Sequence, residues 1–278
     1  MNTTLAVSRD LLREAGSRKW FLGLGLAVTG VLGIIAFSLE MEVVDGALAG
    51  TRLFGSVIDP SIRSADVALR PLFAAATGLI FFGGPVFMIL ACSDFAPRLL
   101  APGRIEHLLA LPVRRWELLL GTWLGVCALA TVCALYGAGG LALILGVKTG
   151  VWTWTPLIAA GLAVVNFMTL YAAMLCAATF VRSAALSAAT GGGLYVLGVI
   201  AGFRHDLLPV FSEGIARRAF EWGTLVIPRV SALGKTAVAI AGSEPVDLPA
   251  LWSMLGGFAV FALGGLAVAC WRFEEKDF

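Results

Sequence analysis

The chain has 278 residues, 59% of them hydrophobic and 14% charged, with a formal net charge of +2. Soluble domains carry about 25% charged residues, so the composition excludes a soluble globular fold and points to an integral membrane protein. The near-neutral balance lacks the basic footprint of a nucleic-acid binder, which leaves lipid and other proteins as partners.

A membrane-crossing helix needs about 20 mostly apolar residues. Taken in chain order, six stretches meet that requirement, approximately 20–39, 72–93, 118–146, 156–181, 184–203 and 249–271. The expected fold class is therefore an all-α integral membrane protein with six transmembrane helices, organised as one domain over 1–278. Arg9, Arg13, Arg18 and Lys19 precede the first stretch, and Glu40, Glu42 and Asp45 follow it. Positive residues favour the cytoplasmic side, so the N-terminus is expected inside. An even span count then places 94–117 and the tail from Arg272 inside, and 40–71, 147–155 and 204–248 outside.

Within the spans, Gly25, Thr29 and Gly33 form one ladder of small residues, and Ala185, Ala189 and Gly193 form another. Such spacing lets helices approach closely, although a Gly- and Ala-rich chain also produces it by chance. Gly83-Gly84-Pro85 in the second stretch is expected to weaken or kink that helix, because proline removes a backbone donor. The span interiors contain no Asp, Glu, Lys or Arg, and ion-coupled carriers need ionisable groups at depth. Asn166, Tyr136, Tyr171 and Tyr195 read as interhelical hydrogen bonders or interface anchors.

No catalytic residues and no metal site are expected. Cys92, Cys127, Cys133, Cys176 and Cys270 lie in or beside apolar runs and read as small buried hydrophobes. His107 and His205 have no second ligand at metal spacing. Arg229-Val-Ser-Ala-Leu-Gly-Lys-Thr236 ends like a phosphate-binding loop, but arginine stands where that loop requires glycine, and no buried strand precedes it. ATP hydrolysis is therefore not expected from this chain by itself. In 204–248, the amphipathic run Phe211–Trp222 and the apolar Leu225–Val230, broken by Pro228, suit either an interfacial position or a re-entrant pair.

The charged interruption between the second and third stretches, Arg104 to Glu117, is the segment that meets water or a partner. On a helix, Ile105, Leu108 and Leu109 share an apolar face with Arg104, Glu106 and His107 beside it. Pro112 is expected to end that turn. Arg114, Arg115 and Trp116 then enter the third span. These residues by themselves fit either an interfacial linker, with snorkelling arginines and a boundary tryptophan, or a helix that docks a cytoplasmic partner.

Gly103-Arg-Ile-Glu-His-Leu-Leu-Ala-Leu-Pro-Val-Arg-Arg-Trp-Glu-Leu-Leu-Leu-Gly121 resembles the pattern between the second and third spans of ABC-2-type transporter permeases, at Gly103, Glu106, Leu108, Leu109, Pro112, Val113, Arg115 and Gly121. The charged tail from Trp271 to Phe278 is similar to the tail of many members. Asp94 stands where many of them carry glutamate. The resemblance implies a permease subunit of an exporter, in the cell membrane with both termini cytoplasmic. It also implies pairing with a second permease subunit, identical or paralogous, and with a cytoplasmic ABC ATPase that carries the ATP and Mg; this chain holds no cofactor.

In that family frame, 104–111 is the coupling helix, and Arg104, Ile105, Glu106, His107, Leu108, Leu109, Pro112 and Arg115 are the docking residues. Residues 3–19 resemble an amphipathic connecting helix on the inner membrane surface. There Leu5, Leu12 and Ala15 face lipid or the bundle, and Arg9, Asp10, Arg13 and Glu14 face water. A non-transporting membrane scaffold that docks an ATPase is the alternative, followed by a secondary transporter. The resemblance names no substrate.

Overall fold

The computed structural model describes residues 3–44, 47–53, 56–59, 63–109, 113–150, 152–210 and 214–275. The chain is predominantly helical. It opens with α1 (Thr3–Ser17) and α2 (Lys19–Ser38), whose axes meet at 71°. Between α2 and α3 (Ala65–Cys92) lie four strands, β1 (Leu39–Val44), β2 (Ala47–Leu53), β3 (Ser56–Asp59) and β4 (Arg63–Ser64). β2 pairs antiparallel with β1 in the register Leu39–Leu53 to Val44–Ala47, and also with β3 and β4. This small sheet is an addition to the expected all-helical fold. Its strands are only two to seven residues long, too short for the two-residue alternation of a strand to stand out beside the long apolar runs.

Among the described residues, five helices are long and apolar enough to cross a membrane: α3 continued by α4 (Phe95–Leu99), α6 (Arg115–Thr149), α7 (Thr155–Phe180), α8 (Ala184–Gly202) and α12 (Leu248–Glu274). The bent pair α1–α2 makes a sixth if it is counted as one span. The chain is a multi-pass membrane protein. Residues such as Leu26, Phe37, Leu79, Val260 and Leu263 are left largely exposed, as lipid-facing side chains are. α3 stays helical through Gly83-Gly84-Pro85.

Helix ends follow local chemistry. The Asp247 carboxylate accepts from the Ala250 N–H at 3.4 Å, with Pro249 in the first turn of α12. The Ser183 hydroxyl accepts from the Leu186 N–H to start α8 only three residues after α7 ends. α6 stops at Gly150, whose φ of 71° is a left-handed conformation that glycine adopts freely.

α7 is the central helix: Phe167, Tyr171 and Met174 pack with Met88 and Ile89 of α3, Val126 of α6, and Leu11 and Ala15 of α1. Further along α7, Leu162 and Ala163 pack with Phe81, Phe258 and the buried face of α11 (Val230–Ala241) at Val230, Leu233 and Ala237. α11 contacts α3, α7 and α8. Glycine makes this packing possible: a Cβ at Gly198 of α8 would sit 2.8 Å from the Pro228 carbonyl oxygen, and one at Gly234 would meet the Phe81 and Phe82 rings. The Ser231 hydroxyl also donates to the Val199 carbonyl at 2.7 Å. The phosphate-loop look-alike is therefore helical from Val230 onward, with Lys235 over the Phe203 ring at 4.3 Å.

The two helices of segment 204–248 differ in how far they are packed. After α9 (Arg204–Leu207), α10 (Ile215–Val226) leaves Ile215, Trp222 and Val226 exposed along one stripe, whereas α11 is packed into the bundle. Tyr195 bridges helices as expected, donating to the Phe82 carbonyl at 2.9 Å, and Tyr136 shares a hydrogen bond with Thr29 at 2.5 Å. Asn166 and Tyr171 depart from that expectation: both are fully buried, and their side-chain polar atoms have no hydrogen-bond partner among the described residues.

Candidate functional site

α5 (Arg104–Leu109) is a single short helix at the end of the bundle where α1, α4 and the last turn of α12 converge. Gly103, with φ at 82°, turns the chain from α4 into it, a left-handed conformation that a side chain would strain. Ile105 is 1% exposed and packs with Leu99, Leu100, Leu118 and Phe273. Leu108 is half-buried against the same cluster, whereas Arg104 and Glu106 are exposed. The apolar face expected at Ile105 and Leu108 therefore exists, and the bundle itself occupies it. The side chains of His107 and Leu109 lie outside the described residues, as does Pro112 with the expected end of the turn.

A chain of alternating charges fastens α5 to the rest of this end. The Arg104 guanidinium donates to Glu14 Oε2 at 2.9 Å and lies 3.9 Å from the Asp10 carboxylate. The other Glu14 oxygen accepts from Arg18 at 2.7 Å, and Arg18 also donates to Asp94 at 2.8 Å. Asp94 in turn holds Arg98 at 2.9 Å. Arg18 sits at the α1–α2 bend with its guanidinium 4.1 Å from the Phe95 ring centroid, and its side chain is only 13% exposed. Sequence reasoning places Glu14 in water. In the structure it is half-buried between two guanidinium groups, because its position on α1 faces Arg104, a residue 90 positions away. The aspartate that departs from the family pattern, Asp94, is the third carboxylate of this network.

Partial burial pushes the Glu14 carboxyl upward, but hydrogen bonds from Arg104 and Arg18 outweigh that and hold it below its ordinary value of 4.5. A carboxyl depressed in the folded state stabilises above its ordinary value and loses that contribution as pH falls through the folded one. Acidification below 4.5 is thus expected to loosen α1 from α5. Spin labels on the exposed positions Arg9 and Glu106 would report a longer and broader distance as pH drops through this window. The Glu14→Gln variant would show that longer distance already at neutral pH, with little further change. A distance independent of pH in the unaltered chain would refute the role of Glu14.

α1 lies along α6. The Ser8 hydroxyl donates to the Gly121 carbonyl at 2.7 Å, and the Thr3 hydroxyl donates to Glu117 at 2.6 Å. Glu117 also accepts from the Arg114 N–H at 3.2 Å, which helps start α6. The buried face of α1 is Ser8, Leu11 and Ala15. Ala15 is as expected, Leu5 is exposed and Leu12 half-buried, and Ser8 and Leu11 are unanticipated. The signal that would have found them is Gly121-x-x-x-Gly125, a small-residue pair at the start of the third span. By contrast, a Cβ at Gly25, Gly33 or Gly193 would meet nothing within 4 Å. The two ladders picked out from the sequence do not face another helix of this chain at those glycines.

Arg115 donates to the Phe273 and Glu274 carbonyls at 3.3 and 3.2 Å. These are among the terminal carbonyls that a helix end leaves unsatisfied, so Arg115 joins α6 to the end of α12. The arrangement is a short helix whose buried side and flanking charges connect it to α1, α4, α6 and α12.

No curated protein matches the chain. Residues 10–203, from within α1 to just past α8 and including all of α5, match the model of the ABC-2 family transporter proteins. The match spans more than half of the chain, which belongs to that family of ABC transporter permease components.

Proposed function

We propose that this chain is the permease subunit of an ABC exporter, crossing the membrane six times with α1, α5 and the end of α12 on the cytoplasmic side, and that α5 receives a separate ATP-hydrolysing subunit. The basic residues Arg9, Arg13 and Arg18 before the first apolar helix support this orientation, and the family implies an ATP-binding partner. ATP and Mg belong to that partner, and a second permease copy or paralogue completes the path.

The observation that carries the reading is the two-sidedness of α5: Ile105 is sealed into the bundle, while Glu106 beside it is exposed. A displacement imposed on α5 from outside passes through Ile105 into the α4–α6–α12 cluster, and through Arg104 and Glu14 into α1. Within the expected docking set, Ile105 and Arg115 hold the bundle and Arg104 is the tether; Glu106 is the outward contact. Co-purification of the coexpressed ATP-hydrolysing subunit tests this. The Glu106→Arg variant is expected to insert normally yet capture about tenfold less partner, the loss that about 1.4 kcal/mol produces. Undiminished capture by Glu106→Arg would remove α5 from the interface.

A further inference from the structure

We propose that the cleft between the α10–α11 turn and α12 binds the headgroup of an anionic phospholipid, with Arg229 as the partner of its phosphate. The cleft measures about 490 Å³, a ligand-sized volume, since small-molecule sites run to roughly 300–1,000 Å³. The turn contributes Val226 to Arg229, and α12 contributes residues between Ser253 and Phe261. Among the described residues, Arg229 is the one charge in this lining and Ser253 the one hydroxyl. Arg229 is half-buried, and it has no ion pair, side-chain hydrogen bond or ring contact among the described residues. Other cations near it in sequence are paired: Arg217 lies 3.6 Å from Glu221, and Lys235 lies 3.8 Å from Asp206. A cation carried into a membrane without a partner is costly. The fork of a guanidinium matches the oxygens of a phosphate.

Charge and depth choose the occupant. A zwitterionic headgroup brings an ammonium that needs a carboxylate, and the lining contains none. An anionic headgroup leaves one negative charge for one guanidinium. Trp252, next to Ser253, and Trp222, one turn before Val226, are both largely exposed. Tryptophan favours the membrane–water boundary, so the polar end of the cleft lies at headgroup level. Phe261 is nine residues beyond Trp252, about 14 Å deeper at 1.5 Å per residue, which approaches the roughly 15 Å of hydrocarbon in one leaflet. Met254, Phe258 and Phe261 thus wall the part that receives the upper acyl chain. Gly257 leaves the wall open, since an added Cβ there would meet nothing within 4 Å. Phe273, at the other end of α12, packs with Ile105, so the site faces the leaflet remote from α5. This inference needs only the membrane setting; it stands if α5 proves not to dock an ATPase.

The test uses the full chain in phosphatidylcholine vesicles that contain a trace of lipid with a diazirine high on one acyl chain. The trace lipid is either phosphatidylglycerol or phosphatidylcholine, and peptide mass spectrometry maps the adducts after irradiation. Ser253 and Val260 line the cleft and are exposed, so both can be labelled. Val196 of α8, exposed and outside the cleft, reports the surrounding lipid. It lies at a similar depth, because its neighbour Tyr195 packs against the cluster that contains Phe258. The ratio of cleft to Val196 adducts is expected to be about tenfold higher with the phosphatidylglycerol probe than with the phosphatidylcholine probe. Arg229→Gln is expected to abolish that difference, and Arg229→Lys to keep part of it. Arg217→Gln, outside the cleft, is expected to leave it intact. Equal ratios for the two probes on the unaltered chain overturn the proposal, and that comparison requires no variant to fold. A difference that survives in Arg229→Gln also overturns it. So does displacement of the probe by soluble glycerol phosphate, which would make the ligand a free anion. Absent cleft labelling with disulfide-linked dimers of a Val260→Cys chain would place a second copy there instead.

Discussion

Replacing Arg18 by alanine is expected to destabilise the α1–α2–α4 junction by about 3 kcal/mol. Breaking a buried ion pair by removing one partner costs about 3–5 kcal/mol, whereas an exposed pair is worth about 1 kcal/mol or less. Arg18 is 13% exposed, its two carboxylate partners are 26% exposed, and it also stacks on Phe95, so its value lies toward the lower end of the buried range. The loss leaves Glu14 facing only Arg104, and Asp94 facing only Arg98. Arg18→Lys is expected to recover only part of it, because an ammonium cannot reach two carboxylates with the fork of a guanidinium. Thermal unfolding in detergent measures the effect. Equal melting temperatures for the alanine variant and the unaltered chain would show that the network is ornamental.

The second large effect is expected at Gly121. An added Cβ would lie 2.7 Å from Val7 Cβ and 2.9 Å from the Thr4 carbonyl oxygen. Neither is the free end of a flexible side chain, so α1 has to lift from α6. Overpacking of this kind costs about 1–3 kcal/mol, and the Ser8 and Thr3 hydrogen bonds to α6 are lost with it. Gly121→Ala is therefore expected to lower the melting temperature and to raise hydrogen exchange along α1. Gly125→Ala is expected to do less, since its nearest neighbours are 3.1–3.3 Å away and yield by tenths of an ångström. Gly137→Ala is the control: its Cβ meets open space, and alanine favours a helix by about 1 kcal/mol over glycine. If all three variants behave alike, close approach of α1 to α6 is not what holds the N-terminal helix.

Both sites bear on how variants of α5 are read. Ile105 lies in the core and Arg104 is tied to α1, so changes at either alter the bundle and the contact surface together. Glu106 has no such second role among the described interactions, which is why its reversal separates loss of the proposed docking from loss of fold.

Hydropathy is a local property that accumulates along the chain, and membrane hydrocarbon demands it in runs of about 20 residues. For that reason the apolar helices were legible from residues alone: the stretches 118–146, 156–181, 184–203 and 249–271 fall within one to three residues of α6, α7, α8 and α12 at nearly every boundary. The family, and the position of a short helix at Arg104, were legible for a related reason, since both rest on contiguous residues. What the tertiary structure decided is which side of each helix meets which neighbour. Glu14 reads as a solvated charge until Arg104 and Arg18 are brought to it. Arg115 reads as a docking or snorkelling residue until the end of α12 is placed beside it, 158 residues away in sequence. Glycine spacing shows the same limit. Gly25-x-x-x-Thr29-x-x-x-Gly33 and Gly121-x-x-x-Gly125 are equivalent on paper, yet only the second pair has another backbone against it. Pairing of charges and contact of small residues depend on distances through space, and a single sequence encodes those only through the fold.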